Sequence, residues 1–271
     1  MTWMSRHTSP EYLLPDNSGM TPDPRDWIAG LEKGLSIIQA FDALHTRLTA
    51  TEAGERCGLT RTAARRYLKT LQHLGYVDSD GKLYWLMPRV LRLSHAYIES
   101  ARLPRLVQPS LQRITSGTDE VAYLGVLDGD HTIFLARSGS PRHTASGYWP
   151  GARVPAQITA AGLAILAAMP EAEMDAWLHN REFPAYTSFT HANAQQLRAT
   201  LQVFRHQGWA LSEQQLELNY RGVAVPLLDH QNRVHGAISI TMPMNREGAD
   251  HALARVLPVM QEAAKGLRPI L

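Results

Sequence analysis

Apolar positions fall mostly at helical spacing from Trp27 to Ser100, broken by one hairpin, and mix helical with strand spacing after that. Ile28, Leu31, Leu35, Ile38 and Phe41 recur every three or four residues. This predicts a helix from Trp27 to Leu44, with Ile37 and Leu44 near the edges of its buried stripe. A short helix is expected over Ala50 to Arg56. Cys57-Gly58-Leu59 then makes a tight turn, with Gly58 free to take positive φ just past the helix end. Thr60 stands where an N-cap belongs, its hydroxyl placed to accept from an amide of the next helical turn. That next helix runs to about Leu74 and stops at Gly75, with Ala64, Leu68, Leu71 and Leu74 as its buried stripe. Tyr76-Val77-Asp78 and Lys82 to Leu86 flank Ser79-Asp80-Gly81, which predicts a tight hairpin. Pro88 to Ser100 carries Val90, Leu91, Leu93, Ala96, Tyr97 and Ile98. It reads as a connector helix with a broad apolar face, ended by Pro104.

Strands enter in the second half. Leu106 to Thr115 is helical, and Glu120 to Leu127 and His131 to Arg137 are strands joined at Asp128-Gly129-Asp130. Leu163 to Met169, opened by Thr159-Ala160-Ala161-Gly162, is apolar enough to be a buried helix. Met174 to Leu178, Ala194 to Gln207 and Ala249 to Leu267 are helical, and Val223 to Leu228 and Val234 to Met242 form a second strand pair. Hairpin connections between strands, with helices interspersed, predict an α+β domain with an antiparallel sheet. The expected organisation is an N-terminal arm over residues 1–25, a winged helix-turn-helix over 26–87, a connector over 88–102 and a second domain over 103–271. Pro10, Pro15, Pro22 and Pro24 sit among Ser, Thr, Asn and Asp without sustained periodicity, which suits a mobile arm.

Charge changes the picture for one helix. A chain of 271 residues with formal net charge +2 is not basic enough overall to argue for nucleic acid. Locally, Arg61, Thr62, Arg65, Arg66 and Lys69 share one helix face, and no acidic residue interrupts the run from Arg56 to Lys69. A basic face alone is usually a solvated face. With the turn, the Thr60 cap and a hairpin directly after it, the face reads as a recognition helix followed by a wing. In that reading the helix enters the DNA major groove, where arginine grips guanine edges or phosphates. Leftover apolar surface on the first helix, Trp27 included, would serve a dimer contact.

Little else suggests chemistry. The single cysteine, Cys57, excludes an internal disulfide and argues against a Cys-based metal site, and reads as a small buried thiol. The sequence lacks a Gly-x-Ser-x-Gly elbow, a phosphate-binding loop, a His-Glu-x-x-His pair and a dinucleotide fingerprint. His191, His206, His230 and His235 show no ligand spacing with carboxylates. No enzyme, no cofactor, no metal and no catalytic residue are therefore expected. No apolar run is long enough to span a membrane, and the first residues lack a basic-then-apolar leader, so a cytoplasmic location is expected.

Several local patterns occur in a telling order: Gly151-x-x-x-Pro155 followed by Thr159-Ala160-x-Gly162, Gly208-Trp209-Ala210 with Glu217 downstream, and Ala237-Ile238-Ser239-Ile240. Together with the helix, helix-turn-helix, wing and connector, they make the chain from Asp26 to Leu271 resemble the IclR family of bacterial transcription regulators. The runs Thr60 to Leu71, Ile28 to Leu35 and Arg89 to Arg92 resemble the subgroup controlling 4-hydroxybenzoate and protocatechuate breakdown. The resemblance implies a homodimer, often paired into a homotetramer, that binds double-stranded operator DNA. It also implies a C-terminal domain that binds a small organic acid, and RNA polymerase is a further candidate partner.

By the same resemblance the DNA-binding residues are Thr60, Arg61, Thr62, Arg65, Arg66 and Lys69, and the effector-binding residues are Ala160, Ala161, Ser212, Gly222, Ser239 and Thr241. Physical sense supports the second set. A carboxylate suits N–H donors at a helix start, where small residues let it approach the backbone. Ser239 and Thr241 are two apart, so both hydroxyls point to one strand face, although a solvated face would show the same alternation. The small Ser212 and Gly222 leave room for an aromatic ring. His143, Tyr148, Trp149 and Arg153 precede the loop and read equally as ligand contacts or as surface packing, and Glu217 reads as structural. Two alternatives stay open: a family member responding to a non-aromatic acid, and a DNA-binding protein with no effector.

Overall fold

The computed structural model describes residues 23, 25–139 and 147–271. The arm expected over residues 1–25 lies outside the described residues apart from Asp23 and Arg25, and so does His143. The chain divides into two compact units, Met1–Glu99 and Ser100–Leu271, a division falling inside the expected connector.

The first unit opens with α1 (Ala29–Gln39), shorter than its periodicity predicts. It stops because Asp42 closes the next loop. The Asp42 carboxylate accepts from the N–H groups of Leu44 and His45 and from the Arg56 guanidinium, the last at 2.6 Å. The buried face also differs from the expected one. Ile37 is fully buried, while Ile28, Leu31 and Leu35 are 68%, 61% and 47% exposed. Packing against the helix that carries Tyr67 runs instead past Gly30 and Gly34, with Ile37 in the shared core. A Cβ at Gly30 or Gly34 would stand 3.9 or 4.0 Å from the Tyr67 side chain. Glycine faces carry no apolar side chain, so a count of hydrophobic positions does not see them.

Helix α2 (Ala50–Arg56) starts at a reciprocal cap, with Thr49 Oγ1 accepting from Glu52 N–H and the Glu52 carboxylate accepting from Thr49 N–H. Gly58 takes φ +62°, and Thr60 caps α3 (Arg61–His73) by accepting from Ala63 N–H at 3.3 Å. Ala64, Leu68 and Leu71 are buried as expected, but Leu74 is exposed because the helix has already ended there. Strands β1 (Val77–Ser79) and β2 (Tyr84–Leu86) form the hairpin, with Val77 opposite Leu86. Its loop is the four residues 80–83 rather than the expected Ser79-Asp80-Gly81, with the Asp80 carboxylate accepting from the N–H groups of Lys82 and Leu83. Leu48 and Tyr84 exchange backbone hydrogen bonds at 3.0 and 2.8 Å, tying the wing to the helices. After a 3-10 turn at Pro88–Val90, α4 (Leu91–Ser100) forms the connector helix.

The second unit begins with α5 (Arg102–Thr118), longer than the expected Leu106 to Thr115. Pro104 lies in its first turn rather than ending the helix before it. First-turn N–H groups have no partner within the helix, so proline is tolerated there. Strands β3 (Val121–Asp128) and β4 (His131–Ser138) form the expected hairpin. A short strand, β5 (Arg153–Pro155), precedes α6 (Ala160–Ala168), α7 (Glu171–Leu178) and α8 (Ala194–Gln207). Then come β6 (Ala210–Glu213), β7 (Tyr220–Leu228), β8 (Val234–Pro243) and α9 (Ala249–Leu267). Among the described residues the unit has a six-stranded antiparallel sheet in the order β5-β4-β3-β8-β7-β6. Strands β5 and β6, at its edges, are the ones the sequence pattern did not reveal. Alternate residues build two cores. Leu124, Val223, Val225, Ile238 and Ile240 pack with α5 and α9, and Tyr123, Phe134, Ala210 and Ala224 pack with α6.

Candidate functional site

In the first unit, α3 buries Ala64, Leu68 and Leu71 and leaves Thr60, Arg61, Thr62, Arg65, Arg66 and Lys69 exposed. Among the described residues none of Arg61, Arg65, Arg66 or Lys69 has an ion-pair partner. Arg56, the first cation of the basic run, is different. Its guanidinium reaches the Asp42 carboxylate and lies 3.0 Å from His45 Nδ1, so it braces the turn after α1. Cys57 is half-buried, with its Sγ 3.4 Å from the Ser36 carbonyl, and burial pushes the thiol up from its ordinary range. On the wing side the Arg47 guanidinium lies 4.4 Å from the centre of the Trp85 ring, and Arg89 donates to the Leu74 carbonyl at the end of α3.

In the second unit, strand register brings four of the six expected effector residues, Ser212, Gly222, Ser239 and Thr241, to one face. Val121, Thr241, Gly222 and Ser212 stand opposite one another across β3, β8, β7 and β6. Tyr123, Ser239, Ala224 and Ala210 form the neighbouring row. Paired residues in antiparallel strands share a face, and so do residues two apart, so both rows face α6. Helix α6 presents its first turn to them: a Cβ on Gly222 would stand 3.0 Å from Ala160 Cβ and 3.8 Å from Ala160 N, and one on Gly125 would stand 3.1 Å from Ala161 Cβ.

Thr159 caps α6 by accepting from Gly162 N–H at 3.2 Å, and its hydroxyl also meets that of Thr132. Among the described residues no acceptor reaches the N–H groups of Ala160 and Ala161, and the Ser239 and Thr241 hydroxyls have no hydrogen-bond partner. Unpaired helix-start donors beside two hydroxyl groups suit a carboxylate. Ser212 behaves differently: it is buried and donates to the Ile158 carbonyl at 2.8 Å. It therefore holds the edge of the sheet against the turn that leads into α6.

Beside this face lies an aromatic cluster that the sequence reading only partly anticipated. Phe134 and Tyr148 stack with centroids 4.5 Å apart and planes 3° apart, and Tyr123 packs against both at 5.4 and 5.9 Å. Burial, then the neighbouring Tyr123 and Glu217, push the Tyr148 phenol above its ordinary range. Phe134 was missed because strand alternation gives its face but not its neighbour Gly125, whose lack of a side chain makes the room. Trp149 is exposed beneath the Arg137 guanidinium, and Arg153 is an exposed residue 3.6 Å from the Asp128 carboxylate. Glu217 is exposed in the turn between β6 and β7, and Glu213 pairs with the buried Arg221. His235 Nε2 lies 3.0 Å from the Asp229 carboxylate, and His191 lies beside Gln157 and Gln215.

Residues 30–81 match the IclR helix-turn-helix domain, and residues 95–268 match the bacterial transcriptional regulator IclR C-terminal domain. The chain is 36% identical over 250 residues to the Pca operon regulatory protein of Acinetobacter baylyi, covering 91% of this chain and 90% of that one. It is 34% identical over 266 residues to the p-hydroxybenzoate hydroxylase transcriptional activator of the same species, covering 96% and 98%. A crystal structure of a transcriptional regulator from Rhodococcus sp. RHA1 superposes with a TM-score of 0.74 at 31% identity, covering 88% of this chain and 96% of that one.

Proposed function

The chain belongs to the IclR family of bacterial transcriptional regulators, and on that premise we propose that it controls genes of aromatic-acid catabolism by binding operator DNA and a small aromatic acid. The acid we favour is 4-hydroxybenzoate or protocatechuate. The kinship with regulators named for the Pca operon and for p-hydroxybenzoate hydroxylase supports the choice of pathway. One observation carries the effector reading: among the described residues the N–H groups of Ala160 and Ala161 are unpartnered at the start of the helix that packs on the strand face bearing the unpartnered hydroxyls of Ser239 and Thr241, and Gly222 lets that helix start come close to the sheet.

In this reading the protein is a regulator and not an enzyme, with domain borders at 26–87, 88–102 and 103–271. Thr60, Arg61, Thr62, Arg65, Arg66 and Lys69 face DNA, with phosphate contacts supplying affinity and base edges supplying choice. Ala160, Ala161, Ser239 and Thr241 hold the carboxylate, Gly222 gives it space, and Ser212 positions the loop. The protein assembles as a homodimer or homotetramer. The exposed Ile28 just before α1, Leu31 and Leu35 on α1, and Leu91 and Leu93 on α4 supply apolar surface for such contacts. Among the described residues no helix is long and apolar enough to cross a membrane.

The acid acts only if it binds the two arrangements of the protein with different affinity. A thermal-shift panel of aromatic and aliphatic acids, followed by operator-binding curves with and without each hit, tests the reading. A ligand at a hundred times its Kd stabilises by about 2.7 kcal/mol, which a melting curve detects readily. Stabilisation by aliphatic acids alone would replace the aromatic assignment. No stabilisation by any acid would leave an effector-free DNA-binding protein.

A further inference from the structure

Strand register puts a cation on the acid face. Arg137 on β4 stands opposite Tyr123 on β3, and Tyr123 stands opposite Ser239 on β8. Opposite residues of antiparallel strands share a face. Tyr123 belongs to the core that packs with α6, so Arg137 extends the row of Tyr123, Ser239, Ala224 and Ala210 by one strand. The next pair, Leu124 and Ala136, lies in the core against α5 and α9, as alternation requires.

Side-chain geometry agrees with the register. The Arg137 guanidinium carbon lies 6.0 Å from the centre of the Tyr123 ring and 4.5 Å from that of Trp149, within the range where a ring attracts a cation. The charge is felt at Tyr123: burial raises the phenol from its ordinary range, and Arg137 acts against that rise. The backbone beneath is fixed, because Gln108 on α5 donates from Nε2 to the Arg137 carbonyl at 3.2 Å. An arginine stacked on rings uses the faces of its guanidinium, while its N–H donors point outward in the plane.

We propose that Arg137 reads the ring hydroxyl of the effector, donating to its oxygen from the β4 side while the carboxylate sits at the start of α6 beside Ser239 and Thr241. This rests on the reading of the pocket as an aromatic-acid site. The carboxylate is already provided for by N–H groups and hydroxyls, and Tyr123 stands between them and Arg137. Arg137 and Ser239 are two strand spacings apart, about 9.6 Å between backbones. A stretched arginine covers much of that separation, and one substituted benzene ring bridges the remainder. Arginine donates and never accepts, so it selects an oxygen and disfavours an amino group at the same ring position. Its charge makes the bond to a phenol oxygen stronger than a neutral donor would.

The test is a calorimetric comparison of benzoate, 4-hydroxybenzoate, 3,4-dihydroxybenzoate and 4-aminobenzoate. It uses the full chain and its Arg137→Met and Arg137→Lys variants, with melting curves and operator binding as folding controls. The wild type should prefer a hydroxylated acid to benzoate by about tenfold or more, and 4-aminobenzoate should gain no such preference. Arg137→Met should bring the ratio of hydroxylated acid to benzoate down to about one. Arg137→Lys, which keeps the charge and loses the planar fork, should lower the ratio without abolishing it, and it serves as the readout if the methionine variant fails to fold. Equal affinity of the wild type for benzoate and both hydroxylated acids would overturn the proposal. So would an unaltered ratio in the folded variants, or 4-aminobenzoate matching 4-hydroxybenzoate. An equal loss for all four acids in a folded variant would also overturn it, since Arg137 would then serve the carboxylate. Failure of every acid to bind the wild type would instead overturn the aromatic-acid reading itself.

Discussion

The Ser212 hydroxyl donates to the Ile158 carbonyl at 2.8 Å, joining the edge strand β6 to the turn that launches α6. Ser239, two strands away on the same face, has its hydroxyl unpartnered among the described residues. Two serines assigned to one site thus stand in different states: one already frames the pocket, the other is open to a ligand. Ser212→Ala leaves a buried carbonyl unpaired and should cost about 1–3 kcal/mol of stability, measurable by urea unfolding. Ser239→Ala should alter stability by less than about 0.5 kcal/mol yet weaken acid binding roughly tenfold in calorimetry. Equal destabilisation by the two changes would show that this distinction is wrong.

Gly222 is the position where added bulk would be felt first. A Cβ there meets Ala160 Cβ at 3.0 Å, closer than ordinary contact, so a valine projects into the space in front of the α6 N–H groups. Strands tolerate β-branched residues well, so the sheet itself has no objection beyond that contact. Gly222→Val should abolish acid binding while operator affinity in the absence of acid stays within a factor of two or so. Retained acid affinity in this variant would move the pocket elsewhere.

Arg65 and Arg56 belong to one basic run but to different networks. Arg65 is exposed without an ion-pair partner among the described residues, and Arg56 is joined to Asp42. Arg65→Ala should weaken operator binding by about 1–3 kcal/mol and reduce its salt dependence, with little effect on unfolding. Arg56→Ala should do the reverse, lowering the stability of the first unit by roughly 1.5–3 kcal/mol through loss of hydrogen bonds to a carboxylate. Footprinting and melting curves on the two variants separate recognition from bracing. An Arg65→Ala protein with normal footprints would remove α3 from the groove.

What was readable in the sequence follows from which signals are local. Helices α2, α8 and α9 match their expected spans because their signals are local: side-chain caps at Thr49 and Asn193 for the first two, apolar periodicity for the third. The end of α1 was misplaced because it depends on Arg56, fourteen residues beyond Asp42. Its packing face was misjudged because Gly30 and Gly34 carry no apolar side chain to count. The edge strands β5 and β6 are three and four residues long, too short to show alternation. The rows that unite Ser212, Gly222 and Thr241 needed strand order, which no single stretch encodes. Burial of Gln157 and Gln215 had no signal at all, since isolated polar residues look like surface until the fold is known.

The turn between β7 and β8 makes a last prediction, about pH. The Asp229 side chain is inaccessible and accepts from the N–H groups of Gln231 and Arg233, from Arg233 Nε and from His235 Nε2. Burial pushes its pKa up, but the hydrogen bonds from His235, the Arg233 backbone and side chain and Gln231 outweigh it. The carboxyl is held well below its ordinary value of 3.8. A group whose folded pKa is lowered contributes stability that is complete above the unfolded value and is lost as pH falls through the folded one. Asp229→Ala should therefore lower the urea midpoint most at neutral pH. The gap from the wild type should narrow once the pH drops below the ordinary carboxylate range. Because β8 carries Ser239 and Thr241, the same variant should weaken acid binding at pH 7 in proportion to the disorder it causes at the turn. A midpoint gap that stays constant from neutral to acid pH would mean that the carboxylate charge has no part in holding this turn.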